Sequence, residues 1–119
     1  MEDRELLGLA AEAAGLKIEW KTGTCKGGAY CAPFVNGEPW RPLVADNADA
    51  LRLMAGLSMG VAVWDQDYMH ASPHVAARVD MPDGHEIELI EPIVSNAEAS
   101  TCRAIVRAAA QVALARRGV

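Results

Sequence analysis

The stretch Pro39-Trp40-Arg41-Pro42-Leu43-Val44-Ala45-Asp46-Asn47-Ala48-Asp49-Ala50-Leu51-Arg52-Leu53 divides the chain and limits what can form on either side of it. Pro42 has no N–H and bars a central strand at that point. Asp46 is a good helix N-cap, because its carboxylate can accept from a backbone N–H one turn on. Asp49, three residues later, can reach back and also faces the positive helix end. Ala48, Ala50, Leu51, Arg52, Leu53 and Met54 are helix formers, and Gly56 suits the left-handed position just past a helix. A short helix is therefore expected from about Asn47 to Ala55. Trp40 reads as its buried anchor, and Leu43 as packing back onto Leu51 or Met54. Asp46, Asp49 and Arg52 read as a capped helix start with a solvated face rather than as a polar site.

Before this stretch, Leu6, Leu7, Ala10, Ala11 and Ala14 recur at helical spacing, so a first helix is expected from about Asp3 to Ala14, closed by Gly15. Leu16 to Lys21 alternates, with Leu16, Ile18 and Trp20 on one face, and reads as a half-buried strand. The glycines of Thr22 to Gly28 suggest a flexible turn. Ala29 to Val35 is a second strand, where Pro33 demands an edge or a bulge. Asn36-Gly37 is a tight-turn signal.

After the stretch, Met59 to Trp64 reads as a compact apolar strand, and Asp65 to Pro73 as the longest irregular segment. His74 to Met81 alternates, with Val75, Ala77, Val79 and Met81 inward. Pro82-Asp83-Gly84 turns it into His85 to Ile90. Ser95-Asn96-Ala97-Glu98 fits a capping box. The helix it opens runs to about Arg116 and buries Cys102, Ile105, Val106, Ala109, Val112 and Ala113. The order α-β-β-α-β-β-β-α implies one α+β domain over residues 1–119. Its expected form is two layers, a mostly antiparallel sheet of about five short strands with helices on one side.

The motif Trp40-Arg-Pro-Leu-Val-Ala-Asp46-Asn-Ala-Asp49-Ala-Leu-Arg-Leu resembles the W-N-P-L-x-D-D-G-D-A-L-R-L signature of small uncharacterised bacteriophage and prophage proteins. Arg4-Glu5-Leu6-Leu7-Gly8-Leu9-Ala10-Ala11-Glu12-Ala13-Ala14-Gly15 is similar to their opening helix. Cys102-Arg103-Ala104-Ile105-Val106-Arg107-Ala108-Ala109-Ala110 is similar to their closing one. The chain departs from the signature at Arg41, where Asn is usual, and at Ala48, where Gly is usual. The resemblance implies a phage or prophage origin and a bacterial cytoplasm, and carries no catalytic residues with it.

Composition narrows the function classes. Of 119 residues, 51% are hydrophobic, which argues against disorder, and 5% are aromatic, which points to a small-residue, aliphatic core. No apolar run reaches a membrane span, and acidic residues at positions 2, 3 and 5 are wrong for a signal peptide. Three cysteines, an odd count, read as free thiols. Net charge is −5, and residues 95–119 hold four arginines against Glu98, so that segment is +3 and the remainder −8. An acidic body disfavours nucleic acid.

Three kinds of site can be weighed. His70 and His74 have metal-ligand spacing only on a helix, which Pro73 opposes, and Cys25 and Cys31 are spaced too widely for a zinc knuckle. No metal and no cofactor are expected. Asp65, Asp67, His70, Ser72 and His74 crowd one loop and would serve a small enzyme, but no nucleophile elbow accompanies them. Arg103, Arg107 and Arg117 share a helix face, which would serve a nucleic-acid binder, although the helix start is acidic where phosphate contacts are made. The favoured expectation is a non-enzymatic protein that binds a host or viral protein. Its contact would include Asp65, Asp67, Tyr68, Met69 and His70, because Tyr and Met beside charge are enriched at interfaces and loops on rigid strands carry contacts.

Overall fold

Helix α3, Ala97–Arg117, is the element on which the rest of the body packs. In the computed structural model, the described residues are 2–25, 27–44, 48–64, 72–94 and 96–118. They form α1 (Asp3–Ala13), β1 (Ile18–Cys25), β2 (Gly28–Val35), β3 (Glu38–Pro39), α2 (Asp49–Gly56), β4 (Gly60–Trp64), β5 (His74–Asp80), β6 (Glu86–Pro92) and α3. The class is α+β. The strands, however, make two antiparallel three-stranded sheets, β1-β2-β3 and β4-β5-β6, instead of one sheet of five. The additional strand is β3, the two residues after the Asn36-Gly37 turn. Both turn residues have positive φ, 53° and 79°, which is the type I′ geometry the dipeptide favours.

Val75, Ala77 and Val79 of β5 are buried against α3, as their alternation predicts. Val75, Val106 and Val112 are the large side chains of that layer buried to completion, each worth about 1.5–3 kcal/mol. The first helix, however, packs mainly on α3 and not on the sheet. Ala10 and Ala11 on α1, and Ala104, Ala108 and Ala109 on α3, are all buried, so the two backbones can approach closely. Arg103 bonds Asp3 at 3.0 Å, and Arg117 Nε bonds Glu12 at 2.9 Å, so the two helices run in the same direction. Arg116 donates to the carbonyl of Ala13 at 2.9 Å and satisfies the C-terminal end of α1. Gly15, at φ 71°, ends α1 as expected, with the Leu16 N–H returning to Ala11.

Several boundaries differ from the sequence expectation. Residues 22–25 belong to β1 and are not a flexible turn: Thr22 pairs with Cys31 and Cys25 with Gly28, leaving a two-residue connection at 26–27. Thr22 and Thr24 are β-branched, and their strand preference outweighs that of Gly23. Pro33 is tolerated because its carbonyl accepts from Trp40 N–H, on the side away from β1, so the N–H it lacks also faces away from that ladder. Helix α2 starts at Asp49 and ends at Gly56, and the left-handed residue that follows it is Ser58, at φ 52°. Gly56 is inside the helix, and a serine takes the strained position at a cost of about 1–2 kcal/mol. At α3 the cap is Asn96, whose side chain accepts from Ala99 N–H at 2.7 Å. The cap thus falls one residue later than expected, with Ala99 where a capping box would need Glu or Gln, and Ser95 lies outside the described residues.

Candidate functional site

Two surfaces grow out of the dividing stretch. The first is the joint it makes. Trp40 is 5% exposed and Pro42 is fully buried, so the anchor role expected of the tryptophan holds. The Trp40 N–H donates to the Pro33 carbonyl at 3.0 Å, which ties the stretch to β2. Asp49 is buried. One of its oxygens accepts from the Arg41 N–H at 2.8 Å and the other from Arg52 at 3.2 Å. A single carboxylate therefore fastens the entry segment to the first turn of α2. Asp46, expected to be the N-cap, lies outside the described residues, and Ala48, the residue flanking α2, makes no side-chain cap bond. A cavity of about 340 Å³ opens beside this joint, lined by Leu16, Val35, Trp40, Leu53, Asp49 and Arg52 among others. Its polar groups, Asp49 and Arg52, are already paired with each other, so the joint is structural in what it displays.

The second surface is apolar and was not anticipated. Leu43 is partly buried against the core as expected, but Leu51 does not turn inward to meet it: it is 60% exposed. Val63 and Trp64, at the end of β4, are 56% and 49% exposed. The compact apolar strand expected at Met59–Trp64 is present as β4, Gly60–Trp64, but it is an edge strand and only Met59 just before it is buried. A groove of about 390 Å³ runs between α2, the start of α3 and β4, lined by Leu51, Met54, Val63, Cys102 and Ile105, with Glu98 at its rim. An uncharged run such as Val61-Ala62-Val63-Trp64 has the pattern of a strand covered on both faces, and its sequence holds no sign that the helix layer stops short of it.

The expected contact residues Asp65, Asp67, Tyr68, Met69 and His70 lie outside the described residues. What is described is the frame from which their segment springs: Trp64 pairs with His74 across β4 and β5. His74 is buried, and its Nδ1 lies 3.1 Å from the Ser72 carbonyl. It is a packed strand residue at the head of β5 and not a loop histidine.

The arginine face is laced to acids. Arg103 pairs with Asp3, Arg107 with Glu91 of β6, and Arg117 with Glu12. The Arg117 guanidinium, by its hydrogen bond, holds the Glu12 carboxyl below its usual range. In the exposed turn after β5, Asp83 bonds His85 through both side chain and backbone N–H, which lowers the Asp83 pKa and raises that of His85. Burial pushes the Cys102 thiol up, away from the reactive thiolate. Among the described residues no group of three His, Cys, Asp or Glu side chains is placed to hold a metal ion. Among the described residues no helix is long and apolar enough to cross a membrane.

Comparison with known proteins finds no matching family model, no matching curated protein and no matching solved structure.

Proposed function

We propose that this is a non-enzymatic accessory protein of phage or prophage type, which acts in a bacterial cytoplasm by binding a host or viral protein. The observation that carries the reading is the groove between α2, α3 and β4, with Leu51 and Val63 exposed on its walls. Exposed apolar side chains gathered around one concavity on regular elements mark a protein contact more often than a solvated surface. Val63 carries the same surface to within one residue of the end of β4, where the 65–73 connection begins, so Asp65, Asp67, Tyr68, Met69 and His70 remain part of the proposed contact. The motif resemblance supports the phage or prophage setting. Two rival readings are weaker. The arginines that would meet nucleic acid are engaged with Asp3, Glu91 and Glu12, and His74, one of the two histidines of the enzyme reading, is buried and bonded.

The test is Leu51→Asp in a tagged chain used to capture proteins from a bacterial host lysate. Leu51 is exposed, so the variant should melt at the wild-type temperature. A hot spot of about 2 kcal/mol corresponds to roughly thirtyfold in Kd, enough to lose the captured protein. If wild type and variant retain the same proteins, or neither retains any, the groove is not the contact.

A further inference from the structure

Four strands end the two sheets, and their edges are not alike. The β1 edge carries Glu19 and Lys21, β3 carries Glu38, and β6 carries Glu86, Glu88 and Glu91. Charges of this kind keep an open edge from pairing with another chain. The remaining edge strand, β4, reads Gly60-Val61-Ala62-Val63-Trp64 and holds no charge. Among the described residues no strand pairs with its outer side.

We propose that β4 pairs with β4 of a second copy of this chain, antiparallel about a two-fold axis at Ala62. The two sheets then join in the order β6-β5-β4-β4-β5-β6. The occupant is argued from symmetry and charge. At an isologous contact each residue near the axis meets its own kind, so a charge there would face its like. β4 offers none, whereas β6 would set acid against acid. In this register Ala62 faces Ala62, Val61 faces Val63, and Gly60 faces Trp64. Val61 and Val63 pair with Ala77 and Val75 in the existing ladder, so they lie on the helix side, and Gly60, Ala62 and Trp64 lie on the other. Glycine opposite tryptophan leaves room for the indole to lie across the neighbouring strand. A foreign strand would need none of these coincidences. The two grooves come to lie on the same side of the joined sheet, so a bound protein would meet a paired surface. Each copy carries −5, and their repulsion is screened beyond about 8 Å at physiological ionic strength, so added salt should tighten the dimer.

Sedimentation equilibrium on the full chain at roughly 100 μM, a hundredfold above a Kd of about 1 μM, is expected to return twice the chain mass. Ala62→Lys places two cations at the axis and should return a monomer. Ala62 is exposed, so circular dichroism should stay that of wild type. Glu88→Lys, on the β6 edge, should stay dimeric. Hydrogen exchange needs no variant: the outward amides of β4 should slow as protein concentration rises. A monomeric wild type at that concentration, a folded Ala62→Lys that remains dimeric, or β4 amides indifferent to concentration would overturn the proposal. Failure here is separable from failure of the groove, because a monomer whose captured protein is lost on Leu51→Asp leaves the groove reading standing.

Discussion

Asp49 joins two elements with one carboxylate, and this is the residue scale at which the fold is decided. The acid is legible in the sequence as a first-turn residue of a helix. Its bond to the Arg41 N–H is not, because that partner is reached only when the chain folds back over Pro42. Asp49→Ala leaves the Arg41 N–H without its acceptor, and a cost of about 1–3 kcal/mol is expected. Trp40→Ala empties a buried anchor and should cost about 3–5 kcal/mol. Urea denaturation midpoints measure both, and a Trp40→Ala loss no larger than that of Asp49→Ala would mean that the indole is not the anchor. Leu51 shows the opposite limit. Helical spacing places it among apolar neighbours, but spacing says nothing of where the covering layer ends.

Among the elements, α3 was the most legible and for a physical reason. Its apolar positions Cys102, Ile105, Val106, Ala109, Val112 and Ala113 are all buried, because a long helix repeats its pattern enough times to define a face. Its start was less so. Ser95, Asn96 and Glu98 satisfy the capping-box pattern, while the bond formed is Asn96 to Ala99 N–H. Asn96 takes the cap in the extended backbone a cap requires, at φ −149° and ψ 150°. Asn96→Ala should therefore cost about 0.5–2 kcal/mol, the loss of an N-cap. Glu98→Ala, with its side chain on the exposed first turn, should be near neutral. Thermal melts of the two variants separate the registers, since a box formed by Ser95 and Glu98 would make Glu98→Ala the costlier of the pair.

On the scale of the whole molecule, β5 and the first half of β1 could be read from alternation, but β3 and the grouping into two sheets could not, because alternation states which face is covered and never by what. The consequence is a body and an arm. The body is α3 with α1, α2 and the β4-β5-β6 sheet, and the arm is the β1–β2 hairpin, on which no described side chain is buried. The radius of gyration is 15.0 Å, against about 13.5 Å expected for a compact chain of this length, which fits an arm that extends from the body. What steadies it is slight: the Arg4 guanidinium of α1 4.9 Å from the Trp20 ring, and, within the arm, Lys21 4.5 Å from the Phe34 ring. Each such contact is worth about 0.5–1 kcal/mol at an exposed site, far less than the buried layer that holds β5 against α3. Amides that depend on few buried contacts open below the global unfolding free energy. Native-state hydrogen exchange should accordingly show the ladder amides of Ile18 to Val35 opening first, with those of β5 and α3 opening only with the whole molecule. If the hairpin amides were as protected as those of Val75 and Ala77, the arm would be part of the cooperative core, and the division into body and arm would be wrong.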